Sequence, residues 1–222
     1  MYFKAIVLIL PSLASAIPTS DPSPQVQLQE AFNPPTIISS SFSGNGCPQT
    51  AQPKLISSTW SNFSFRLPAF EVSTDGGVQA KTQNCQAHLN LGGGTPGWAV
   101  ALRDLWSTGH VTLEGEGVTL TEYLTVYFSQ DAGSTATATQ SITNTGNSTI
   151  PRNLNWHTIM PSEDLIWSPC IGEDGDVGIV NVNFRVALTS SDANAYGYYG
   201  AGVNSSVQER FGWVWRQCSS DR

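Results

Sequence analysis

Along most of the chain apolar and polar residues alternate one for one, the period of strands that bury one face and wet the other. Phe63, Phe65 and Leu67 make one such row. Cys85, Ala87, Leu89 and Leu91 make a second, with Gln86, His88 and Asn90 on the opposite side. Trp98, Val100 and Leu102 follow, then Leu124, Val126 and Phe128. Val180, Val182, Phe184, Val186 and Leu188 form the cleanest row, and Phe211, Trp213 and Trp215 close the series. Glycine-rich clusters at Asp75-Gly76-Gly77, 92–97, 115–117, Gly146-Asn147 and 172–178 supply the turns between rows. No stretch repeats its apolar residues at helical spacing with caps at both ends. The pattern predicts an all-β fold, a single antiparallel β-sandwich of jelly-roll type. The threonine-rich alternation over 135–143 has no proline and reads as an exposed edge strand.

Two segments stand outside this pattern. Residues 1–16 combine a positive start at Lys4, an apolar run from Ala5 to Leu10 and the small-residue site Ala14-Ser15-Ala16, which reads as a secretory signal peptide. A membrane anchor needs about 20 apolar residues, and Pro11 and Ser12 interrupt the run. No later segment is long enough either, so no membrane span is expected. Residues 17–35 are rich in Pro, Ser and Gln and read as a flexible leader or pro-segment. The β-sandwich domain is then expected over 36–222.

Export changes how the cysteines are read. Cys47, Cys85, Cys170 and Cys218 contain no C-x-x-C spacing for zinc, and an even number in an oxidising route reads as two disulfides, with three pairings open. Asn62, Asn147 and Asn204 each begin an N-x-S/T sequon and are the expected glycosylation sites. Of 222 residues only 12% are charged, with 10 Lys+Arg against 17 Asp+Glu and a formal charge of -7. Losing Lys4 with the signal peptide leaves 9 minus 17, or -8. The chain is acidic because bases are few, and without a basic run it lacks the footprint of a nucleic-acid binder.

Five cysteine and tryptophan contexts occur in a specific order: Gly44-Asn45-Gly46-Cys47-Pro48, Asn84-Cys85-Gln86, Pro96-Gly97-Trp98, Trp167-Ser168-Pro169-Cys170 and Trp215-Arg216-Gln217-Cys218. In this order the chain resembles the secreted fungal and bacterial family known as domain of unknown function 4360. The resemblance implies an exported all-β protein, no established activity, and the pairs Cys47 with Cys85 and Cys170 with Cys218. Relatives carry an aromatic-Arg-Gly turn after the tryptophan that stands here as Trp98, where this chain reads Arg103-Asp104-Leu105-Trp106-Ser107.

Candidate chemistry is sparse. Glu114 and Glu116 share a strand face by parity, and Glu122 lies just before an alternating row, the only set that suggests a carboxylate pair of the glycosidase kind. Glu173-Asp174-Gly175-Asp176 gathers carboxylates around a glycine but lacks a calcium loop, so it reads as an acidic turn. His88, His110 and His157 are scattered without metal-ligand spacing and read as surface or loop residues. No G-x-S-x-G elbow or phosphate loop is present. Trp60, Trp106, Trp156 and Trp167 lie outside or at the ends of the clean rows; stacking on sugar rings is one use for them, and plugging the sandwich or covering the disulfides is the favoured one. No catalytic, cofactor-binding or metal-binding residue is assigned. The expectation is a secreted, extracellular or cell-wall-associated glycoprotein without enzymatic activity, a binding module for polysaccharide or an extracellular protein. The alternative is a secreted glycoside hydrolase-like enzyme using paired glutamates.

Overall fold

The computed structural model describes residues 32–74 and 79–219. The expected signal peptide over 1–16 and the leader as far as residue 31 lie outside the described residues, as does the turn Asp75-Gly76-Gly77. The strands are β1 (Thr36–Ser43), β2 (Lys54–Ser57), β3 (Phe63–Arg66), β4 (Val72–Ser73), β5 (Ala80–Gly92), β6 (Trp98–Glu114), β7 (Thr119–Phe128), β8 (Ala136–Thr143), β9 (Ile150–Ile159), β10 (Asp176–Thr189), β11 (Tyr196–Gly200) and β12 (Gln208–Gln217). Among the described residues there is no α-helix, and so no helix that is long and apolar enough to cross a membrane.

The strands form two antiparallel sheets, as the alternation predicts. One runs β1-β5-β10-β7-β8, which puts the threonine-rich β8 at its edge. The seven-stranded sheet is organised around β6, whose residues 104–108 pair with β12 on one side and β9 on the other. Beyond residue 108 the place of β12 is taken by β11, with β4 outside it, while β3 and β2 extend the sheet past β12. Every second residue of β7, of β10 and of β5 from Cys85 onward is buried together with Phe63, Phe65, Leu105, Val111, Leu113 and Phe211 of the other sheet. Full burial of a Leu or Phe side chain stabilises by about 1.5–3 kcal/mol, so this continuous core accounts for the sandwich.

The structure also departs from the sequence pattern in places. Trp215 continues the parity of Phe211 and Trp213, but a register shift at Gly212/Trp213 interrupts the ladder and the indole is 47% exposed. There Phe32 stacks on it at 4.6 Å, and the Asn33 amide donates to Thr95 Oγ1 at 2.7 Å. β9 has no clean alternation, because only Leu154 and Thr158 of it are buried. The disulfides Cys47–Cys85 and Cys170–Cys218 close loops spanning 38 and 48 residues. The first ties the turn after β1 to β5, and the second ties the segment before β10 to the end of β12.

Candidate binding furrow and a buried acid pair

The outer face of the seven-stranded sheet is built from the residues that alternate with the core. Strand register sets them in rows. Ser64, Arg210, Trp106 and His157 lie side by side across β3, β12, β6 and β9, and Arg66, Gln208, Thr108 and Asn155 form the next row. His110 and Asn153 follow, hydrogen-bonded at 3.0 Å, and then Tyr198 beside Thr112 and Tyr196 beside Glu114. Three depressions of about 490, 590 and 570 Å³ run along these rows. The first two share Asn153, Val203 and Asn204, and the second and third share Thr108, Asn155 and Gln208. They are therefore one furrow, and from Trp106 to Thr112 it follows β6 for about 20 Å at the usual strand rise.

One end of the furrow is rigid by construction. Trp106 faces the paired residues of both neighbouring strands: the His157 ring stacks on it at 4.5 Å, and the Arg210 guanidinium lies 3.8 Å from its ring centre. The His157 Nε2–H donates to Asp104 Oδ1 at 2.7 Å, and Arg103 Nε donates to Asp104 Oδ2 at 2.8 Å. Gly212 leaves the space for this stack, since a Cβ there would lie 2.8 Å from the indole. The other end carries Tyr196 and Tyr198, both half-buried, and the Tyr198 hydroxyl donates to the Ala201 carbonyl at 3.0 Å. Partial burial and the nearby Glu71 raise the Tyr198 phenol above its ordinary pKa.

Inside the sandwich, under this face, lie two carboxyls. Glu122 of β7 is fully buried and accepts hydrogen bonds from Ser107, from Thr158 at 2.7 Å and from Gln140 at 3.3 Å. Gln140 also donates to Thr158. Burial raises the Glu122 carboxyl above its ordinary pKa, and its three donors oppose that rise. Glu209 of β12 is 4% exposed, and burial followed by the proximity of Glu122 pushes it well above the carboxylate range. Tyr199 stands near both and donates to the Thr108 carbonyl at 3.2 Å. Its ring occupies the space over Gly109, where a Cβ would lie 2.6 Å away.

The family model for the domain of unknown function DUF4360 matches residues 33–218, nearly all of the described chain. The chain belongs to this family. An uncharacterized secreted protein of Arthroderma benhamiae is 27% identical over 190 residues, which cover 83% of this chain and 72% of that protein. Among solved structures, that of TmCBM61 in complex with β-1,4-galactotriose covers 82% of this chain and 90% of its own, at 10% identity and a TM-score of 0.21. A TM-score that low has no bearing on the furrow.

In this DUF4360 chain the three glutamates singled out by sequence do not form a pair. Glu114 is exposed at the end of β6, Glu116 is exposed in the following turn, and Glu122 is inside the sandwich. Asp174 and Asp176 accept hydrogen bonds from main-chain amides of their own turn, and among the described residues no three metal-ligating side chains are gathered. His88 projects from the polar side of β5 onto Asn181, whereas His157 is built into the Trp106 stack. Trp60 is stacked on Trp213 at 5.2 Å, and Trp167, near Cys170, lies under Arg216. Trp60 and Trp156 pack against the core as expected; Trp106 instead stands mid-strand on the outer face. Asn62, Asn147 and Asn204 are all exposed, and Asn62 and Asn204 line the furrow.

Proposed function

We propose that this chain is a secreted, non-enzymatic binding module that holds a polysaccharide chain along the furrow of its seven-stranded sheet. The continuity of the furrow carries the reading. Three adjoining depressions on one sheet face suit an extended polymer better than a compact metabolite. Thr108, Asn153, Asn155 and Gln208 offer hydroxyl and amide groups for sugar hydroxyls, and the tyrosines at one end offer ring faces. Binding without turnover fits the placement of the acids. Glu122 and Glu209 are buried, and Asp104 is engaged by Arg103 and His157.

Export is part of this reading. Two disulfides belong to an oxidising compartment, the Arthroderma relative is described as secreted, and residues 1–16 supply a signal peptide. Glycans at Asn62, Asn147 and Asn204 complete a secreted glycoprotein.

The test is affinity electrophoresis of the mature protein in gels containing soluble plant and fungal wall polysaccharides, with reducing ends assayed in parallel. At least one polymer should retard the wild type without release of sugar, and Asn155→Ala with Gln208→Ala should abolish the retardation. Retardation that survives those substitutions moves the site elsewhere. Sugar release would replace the module with an enzyme.

A further inference from the structure

The geometry points to a carboxylated polysaccharide, a polyuronate, as the ligand, with its carboxylates held between Arg66 and Arg210. This rests on the furrow being the polysaccharide site. Arg66 and Arg210 are diagonal neighbours on β3 and β12, since Gln208 pairs with Arg66 and Arg210 pairs with Ser64. Diagonal neighbours on one sheet face are roughly 7–8 Å apart at Cα, so an anion of an extended polymer lying on this face is drawn by both. Among the described residues neither arginine has a carboxylate partner. The lining of this part of the furrow holds one acid, Glu209, which is buried. The exposed acids of this face lie at the other end, Glu114 beside Tyr196 and Glu71 near Tyr198. Three of the ten basic residues in an acidic chain, Arg210, Arg66 and Lys54, which pairs with Arg66 from β2, thus stand together where the furrow lining has no exposed acid.

Arg210 is also held in place. Its guanidinium lies on the indole of Trp106, which is braced from the other side by His157. A guanidinium fixed this way keeps its N–H fork available for a carboxylate and loses little freedom when one binds. Trp106 is a positioning residue for Arg210, and Asn155 and Gln208 remain for the hydroxyls of neighbouring sugars.

Calorimetric titration with polygalacturonate and with its fully methyl-esterified form tests this, because the two polymers share a backbone and differ in charge. The free acid should bind about tenfold more tightly, the value of one charge-assisted hydrogen bond, and the preference should shrink when salt is raised to about 0.5 M. Arg66→Gln and Arg210→Gln should each bring the ratio of acid to ester affinity close to one. Trp106→Leu should weaken acid binding as Arg210→Gln does. If ester and acid bind equally, or the arginine variants keep the preference, the inference fails while the furrow stands. If neither form nor a neutral β-glucan binds, the furrow reading itself fails.

Discussion

Replacing Glu209 with Gln removes one carboxyl from the buried pair and keeps its shape, which isolates the electrostatic cost of the pair. In the fold, burial and the neighbouring Glu122 hold Glu209 protonated well above the ordinary value of 4.5. In the unfolded chain it ionises near that value. A carboxyl with a raised folded pKa contributes stability that is complete below about pH 4.5 and is lost as pH rises through the folded value. Over that window the wild type loses about 1.4 kcal/mol per pH unit relative to Glu209→Gln. The difference between variant and wild type therefore grows with each pH unit above the unfolded titration for as long as Glu209 stays protonated in the fold. For a domain of this size each such unit is about 3–5 °C in Tm. Urea unfolding of both proteins at half-unit steps from pH 4 to 7.5 reads the difference directly, and all titrations away from the pair cancel. Glu122→Gln should show a shallower version, because Ser107, Thr158 and Gln140 already favour the Glu122 anion. Stability curves of wild type and Glu209→Gln that run parallel across this range would refute the reasoning.

Three further outcomes follow from the geometry. Opening either disulfide by a paired Cys→Ser change should cost about 4 kcal/mol by the loop-entropy relation for loops of 38 and 48 residues, seen as a lower urea midpoint with a steeper slope, since the unfolded chain expands without the cross-link. Gly212→Ala should push the indole of Trp106 aside at a cost of about 1–3 kcal/mol; the near-UV circular dichroism should change and acid-polysaccharide binding should weaken. Asn204 lines two of the three depressions, so on protein from a glycosylating host, enzymatic removal of the glycan should raise polysaccharide affinity. Removal of the Asn147 glycan should not.

Much of the sandwich was legible because its signal is local. The rows at 85–91, 124–128 and 180–188 each report their own strand, and the glycine clusters report where strands end. The buried acids were legible in principle: extending Leu124, Val126 and Phe128 back by two residues lands on Glu122, and extending Phe211 and Trp213 back lands on Glu209. Parity alone puts both carboxyls inside. It gives no sign that they approach one another, because they come from different sheets. The furrow was hidden for the same reason. Arg66, Trp106, Asn155 and Gln208 are separated by tens of residues, and only the order β3-β12-β6-β9 makes them neighbours. His157 looked like an isolated surface histidine because its partners Asp104 and Trp106 lie on another strand, about 50 residues away. β9 itself is weakly patterned, since much of it is exposed.

The central claim is that a polysaccharide lies along the outer face of the seven-stranded sheet. Amide hydrogen exchange, followed by mass spectrometry with and without saturating polymer, tests it most directly. Slowed exchange should be confined to residues 62–66, 104–112, 153–157 and 196–210, with 86–90 and 181–185 on the opposite face unchanged. Protection on that opposite face, or none at saturation, would contradict the account.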